Sequence, residues 1–193
     1  MSQAPYDRRF VSEFVERLEA LDRADLARLK RGAGRRLEEY PEVFPLFYRL
    51  LPERIRGWPS GEGAYFLVAT LFPLAPSGDG PRFEGDLGRS LFDLRQRKPE
   101  SREALDRRLA ILLDCDSDAL PFRLRQMVRL IATSEGHVDW RQLLEDVLAW
   151  DLPWRPTHKR WARSYFGAQL VEPETAPATQ AAAAESKRRK ERC

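Results

Sequence analysis

Hydrophobic residues recur along most of this chain at intervals of three and four, the period of helices with one buried face. Phe10, Phe14, Leu18 and Leu21, widened by Val11 and Val15, predict a first helix. Asp22 is the expected cap of a second, which carries Leu26 and Leu29 and stops at Gly32 after Lys30 and Arg31. Tyr40 to Leu51 is aromatic and apolar and is bounded by Pro41 and Pro52, which predicts a short buried helix with a bend at Pro45. Ser60 is the expected cap of a helix that is apolar nearly all round through Tyr65, Phe66, Val68, Leu71 and Phe72. A helix apolar on nearly every face is the expected centre of the N-terminal half.

A loop rich in glycine and proline follows from Leu74 to Gly85. Asp86 then opens a helix with Leu87, Leu91 and Leu94 on one face. Gly88 costs that helix stability, so another backbone or a ligand is expected to approach there. Lys98-Pro99-Glu100-Ser101 is a break and a cap, and the boundary between two subdomains is expected at this point. Leu105, Leu109 and Leu112 mark the next buried stripe; Leu120, Leu124, Met127, Val128 and Ile131 mark another, ended by Gly136. Asp139 to Gln142 fits a capping box with Asp in the first position, opening a helix with Trp140, Leu144, Val147 and Leu148. Thr157 is the expected cap of the last helix, anchored by Trp161 and Tyr165. No segment alternates as a half-buried strand does. The expected fold is all-α, two small helical bundles packed together over residues 1–97 and 98–168, with a disordered C-terminal tail over 169–193 rich in alanine and charge.

Composition narrows the function more than the fold. With 193 residues, 42% apolar and 33% charged, the balance is that of a soluble globular chain. No apolar run approaches a membrane span, and the N-terminus lacks the apolar core of a signal peptide, so a cytoplasmic location is expected. Cys115 and Cys193 are too few for a disulfide framework and lack zinc spacing. Net charge is only +3, so any attraction to nucleic acid must come from segregated charge. That segregation exists. Arg28 to Arg36 holds five basic residues and no acid, and Arg155 to Arg163 holds four, again with no acid. The acids gather in Glu38-Glu39, in Asp114, Asp116 and Asp118, and in Glu145-Asp146, runs expected to be exposed.

Catalytic chemistry finds little support. Asp114, Asp116 and Asp118 begin like a calcium loop, but Ala119 stands where the sharp turn needs glycine and Arg125 where a bidentate glutamate is needed. There is no phosphate-binding lysine loop and no nucleophile elbow. His137 and His158 are far apart, each expected at the surface or at a cap. Neither cofactor nor metal is expected. The arginines carry more information: with 28 arginines against five lysines, they recur on helix after helix. Arginine holds phosphate through a planar fork, and each contact adds sequence-independent, salt-sensitive affinity. Asparagine, which reads adenine edges, is absent, which favours backbone contact over base readout.

An ordered set of motifs adds a family. Leu26-Ala27-Arg28-Leu29-Lys30-Arg31-Gly32, Gly85-Asp86-Leu87-Gly88-Arg89-Ser90-Leu91, Leu105-Asp106-Arg107-Arg108-Leu109, the Arg123 to Ile131 helix running into Val138-Asp139-Trp140, and Lys159-Arg160-Trp161-Ala162-Arg163-Ser164-Tyr165-Phe166-Gly167 follow in this order. Together, over about residues 8 to 168, they resemble the CasB family, small subunits of the type I-E CRISPR surveillance complex, Cascade. The resemblance implies an all-helical, non-enzymatic subunit present as a pair. It further implies contacts with the backbone and large subunits, and a basic surface that stabilises the guide RNA and target DNA heteroduplex and the displaced non-target strand. By position, the implied backbone contacts are Lys30, Arg31, Arg89, Arg107, Arg108, Arg129, Lys159 and Arg160, with Arg35, Arg123 and Arg125 following from looser spacing. The reading that competes is a helical adaptor whose arginines pair with acidic partner proteins; a metal nuclease is a distant third.

Overall fold

The computed structural model describes residues 7–75 and 85–167, and among these every regular element is a helix. Nine α-helices follow in order: α1 Arg8–Glu19, α2 Arg23–Arg31, α3 Phe44–Leu50, α4 Pro59–Leu71, α5 Leu87–Arg97, α6 Arg102–Asp114, α7 Leu120–Ala132, α8 Trp140–Leu148 and α9 Pro156–Phe166. Short 3-10 turns fill several of the connections. The ends of the Gly/Pro loop are seen, but residues 76–84, like the tail expected over 169–193, lie outside the described residues.

The predicted stripes become the core. Val11, Phe14, Val15 and Leu18 of α1 are buried, whereas Phe10 is only partly covered and Leu21 lies beyond the helix. α4 is buried along the whole run from Ala64 to Leu71, because it sits at the centre: α2, α7 and α8 all pack against it. α1 also packs on α8, and α5 packs on α9. Through these pairs, residues from both sides of Lys98 join one continuous hydrophobic core. No described helix is long and apolar enough to cross a membrane.

Three expected caps form. Asp22, Asp86 and Asp139 each accept a backbone N–H three residues on, at 2.8, 2.9 and 2.9 Å. Only half of the capping box at Asp139 closes, because the Gln142 amide donates forward to Asp146 Oδ1 at 3.0 Å rather than back.

Four local expectations need correction. The first two are caps: α4 begins at Pro59 and α9 at Pro156, each earlier than Ser60 or Thr157 would allow. A proline suits the first helical position, where its missing N–H has no partner to lose and its φ is already helical. Pro45 likewise stands in the first turn of α3 and starts that helix instead of bending it. The fourth concerns α7, which ends at Ala132, and the left-handed residue beyond it is Glu135, φ 54°, not Gly136. Gly136 donates its N–H to the Ile131 carbonyl at 2.9 Å, and a Cβ on it would lie 2.7 Å from Ile131 Cγ2.

Candidate nucleic-acid interface

The basic turn after α2 is built on two glycines and a tyrosine. Tyr40 folds back over Gly32, where a Cβ would meet its ring at 2.6 Å. Its hydroxyl accepts from Arg31 Nε at 3.4 Å, and the Arg35 guanidinium lies over its ring at 5.4 Å from the centroid. Gly34 adopts φ 80°, and the Arg125 side chain crosses so close that a Cβ there would lie 2.7 Å from its Cδ. The fold thus brings Arg31, Arg35 and Arg125 together from distant parts of the chain. Arg125 is half-buried by this packing, while Lys30, Arg31 and Arg35 stay exposed.

On α6, Leu105, Leu109 and Leu112 face the core, which turns Arg107 and Arg108 outward. On α7, the buried stripe leaves Arg129 exposed and Arg123 half-buried, with the Arg123 guanidinium 5.8 Å from the centroid of the exposed Phe122 ring. Among the described residues, Lys30, Arg107, Arg108, Arg129 and Lys159 form no ion pair.

Arg89 and Arg160 are arranged differently. Arg89 pairs with Asp93 one turn on at 3.1 Å and covers the Phe92 ring at 5.5 Å. Arg160 is held by Asp146, which is fully buried. The same carboxylate accepts from Trp161 Nε1 at 2.6 Å and from Gln142 Nε2 at 3.0 Å, and the Thr157 hydroxyl donates to the Asp146 carbonyl at 3.0 Å. The expectation that Glu145-Asp146 is an exposed acidic run is therefore overturned. α8 buries both residues, and Glu145 pairs with Arg8 at 3.2 Å. A second pair ties α9 to α6: half-buried Asp106 accepts from the Tyr165 hydroxyl at 2.6 Å and pairs with buried Arg95 at 3.1 Å. Burial and the Asp106 carboxylate both push the Tyr165 hydroxyl's pKa upward.

The α5–α9 seam explains Gly88. A Cβ there would lie 2.3 Å from the Trp161 carbonyl oxygen, so the approaching backbone expected at this glycine is that of α9. Ser164 closes the seam by donating to Asp86 at 2.7 Å. His158 is buried, not at the surface, with its ring 4.1 Å from that of Trp150; burial and Arg155 push its pKa down. His137 is exposed as expected. In the acidic loop, Asp116 accepts from the Ala119 N–H at 2.9 Å and Asp118 pairs with Arg36.

The family model for CRISPR-associated protein Cse2 matches residues 25–166, most of the described chain. The chain belongs to the CRISPR-associated Cse2 family. It is 36% identical to a Cse2 protein of Thermus thermophilus over 136 residues, covering 70% of this chain and 74% of that one. A crystal structure of CasB from M. ruber superimposes with a TM-score of 0.66 at 30% identity, over 85% of this chain and 95% of that one. A Cse2-family crystal structure from Thermus thermophilus gives 0.67 at 31%, over 86% and 99%. A chain of a CRISPR RNA-guided surveillance complex shares the fold at 0.72 with 22% identity, over 86% and 96%.

Within this Cse2 fold, sequence reasoning missed the buried carboxylate of Asp146, the half-buried one of Asp106 and the exposed Trp154. A signal existed for Asp146. It sits three residues after Leu143 and one before Val147, inside the buried stripe of α8, where a solvated acid has no place.

Proposed function

We propose that this chain is the small subunit of a CRISPR RNA-guided surveillance complex and that its exposed cations hold nucleic-acid backbone without reading sequence. It binds rather than catalyses. The reading places it beside the backbone and large subunits and a second copy of itself, against the guide RNA, the target strand and the displaced non-target strand. Family membership supports the assembly, and one observation supports the contact: Arg107, Arg108 and Arg129 project from α6 and α7 with no ion pair among the described residues. Guide pairing supplies sequence recognition, and exchange of one duplex for another is nearly balanced, so sequence-blind phosphate contacts can tip it. Each neutralised phosphate releases counterions, which makes the contribution measurable through salt.

The test is a complex reconstituted with the Arg107→Glu, Arg129→Glu subunit. The complex should assemble normally, lose R-loop stability, and show a salt slope shallower by about 0.7–0.9 per lost contact. Unchanged R-loop lifetime and unchanged slope would sink the proposal. A second reading is a helical adaptor that touches no nucleic acid and whose exposed arginines pair with acidic partner proteins, as Arg89, Arg95 and Arg160 pair with acids within the chain. It predicts that this double variant changes subunit association instead.

A further inference from the structure

α9 shows an unusual division of labour. Thr157, His158, Trp161 and Tyr165 face inward against α5 and α8, and the other side of the helix carries Lys159, Arg163 and Phe166 at spacings of four and three. Arg155 caps this stripe, accepting the Lys159 N–H on its carbonyl at 3.2 Å. Immediately before it, Trp154 is 54% exposed, an outlier among the tryptophans: Trp140, Trp150 and Trp161 are buried and Trp58 is partly covered. Phe166 is exposed at the opposite end. Arg155, Lys159 and Arg163 form no ion pair among the described residues, and from Leu152 through Gly167 the sequence contains no acid. Asp151, exposed at the start of the turn, is the nearest acid along the chain.

The turn that presents Trp154 is strained. Arg155 adopts φ 46°, ψ 57°, the left-handed region that side chains with a Cβ rarely enter, and its N–H donates to the Leu152 carbonyl at 2.8 Å. Such a conformation costs about 1 kcal/mol or more and persists only where the surroundings impose it. Pro156 helps impose it, because the residue before a proline is disfavoured in the right-handed helical region.

Resting on the nucleic-acid reading above, we infer that Trp154, Arg155, Lys159, Arg163 and Phe166 form a binding stripe for single-stranded nucleic acid, with Trp154 as a base-stacking platform. An indole face stacks on any base, and the cations between the two aromatics follow the phosphates, the combination that single-strand binders use. From Arg155 to Phe166 the stripe runs about 16 Å at 1.5 Å per residue, enough to follow several nucleotides. Charge decides between occupants: a stripe with three unpaired cations and no acid between its aromatics complements a polyanion, whereas an apolar protein surface would leave those cations desolvated without partners.

The experiment uses the full chain and a labelled oligothymidylate of about 12 nucleotides. Binding should quench tryptophan emission. Trp154→Ala should weaken binding roughly tenfold with little change in salt slope, and Trp154→Phe should restore part of the loss. Lys159→Glu with Arg163→Glu should flatten the salt slope. An abasic oligonucleotide of the same length should erase the difference between wild type and Trp154→Ala. The inference is overturned if wild type does not bind, or if Trp154→Ala binds both probes as wild type does. It is equally overturned if Trp154→Ala leaves oligonucleotide binding intact and loses subunit association, which assigns the stripe to a protein partner. None of these results bears on Arg107 and Arg129, whose test in the assembled complex stands separately.

Discussion

At the seam of α5, α8 and α9, Arg95 and Arg160 are fixed by Asp106 and Asp146 and surrounded by Tyr165 and Trp161. On α6 and α7, Arg107, Arg108 and Arg129 face solvent with no ion pair among the described residues. One residue type serves two ends, and what differs is the company of a carboxylate from the same chain. At the seam a guanidinium and a carboxylate of the same chain satisfy one another, and the pair acts as structure. Outside, a cation with no internal partner keeps its full charge for an external phosphate.

Removing the buried acid should give the largest effect. Asp146→Ala leaves the buried Trp161 N–H without its acceptor and releases the Gln142 amide and the half-exposed Arg160, and an unsatisfied buried donor costs up to about 3 kcal/mol. A urea titration should show it, and a loss below about 1 kcal/mol would mean that Asp146 is not the anchor of the seam.

The seam's closest backbone contact comes next. Gly88→Ala should destabilise by about 1–3 kcal/mol, because the obstructing atom is a carbonyl that cannot swing away. The helical control has the opposite sign. Gly63→Ala in α4 meets nothing within 4 Å and should stabilise by about 0.5–1 kcal/mol. Equal effects at the two glycines would break the contrast.

Outside, the same measurement should be nearly silent. Arg107→Glu with Arg129→Glu is expected to leave the thermal midpoint almost unchanged, within about 0.5 kcal/mol, while nucleic-acid affinity in the complex falls. A large stability loss would show that these arginines, too, are structural.

His158 gives the finest discrimination. Its folded pKa is held below the ordinary value by burial and by Arg155. Below about pH 6.5 the unfolded chain binds the extra proton more readily, so the neutral ring's contribution is whole above that pH and is lost as pH falls through it. Thermal midpoints measured from about pH 7.5 to about pH 5.5 should fall more steeply for wild type than for His158→Gln. Parallel slopes would remove His158 from the seam's charge balance.

Residues that carried the family resemblance divide along the same line. Gly85 to Leu91 and Lys159 to Gly167 supply the implied contacts Arg89, Lys159 and Arg160, yet much of their pattern serves the packing of one segment on the other: Gly88 on the Trp161 backbone, Asp86 on Ser164. The glycine's need for a close neighbour was legible because a mid-helix glycine is costly without one. Which neighbour it was could not be read, since a local penalty does not say what relieves it.

The sequence by itself determined the helices, their buried stripes, three aspartate caps and the family, because helical period and capping are local and repeat within a few residues. Proline and left-handed positions shifted the ends by a residue or more where backbone sterics overrode the expected cap. Only the tertiary structure decided which arginines are free. Whether a charge meets a partner depends on how separate helices pack, as when Asp146 of α8 takes Arg160 of α9 and Arg125 of α7 lies across Gly34. Exposure of Trp154 was settled in the same way: it stands in the turn before α9, outside the surfaces that α5 and α8 cover.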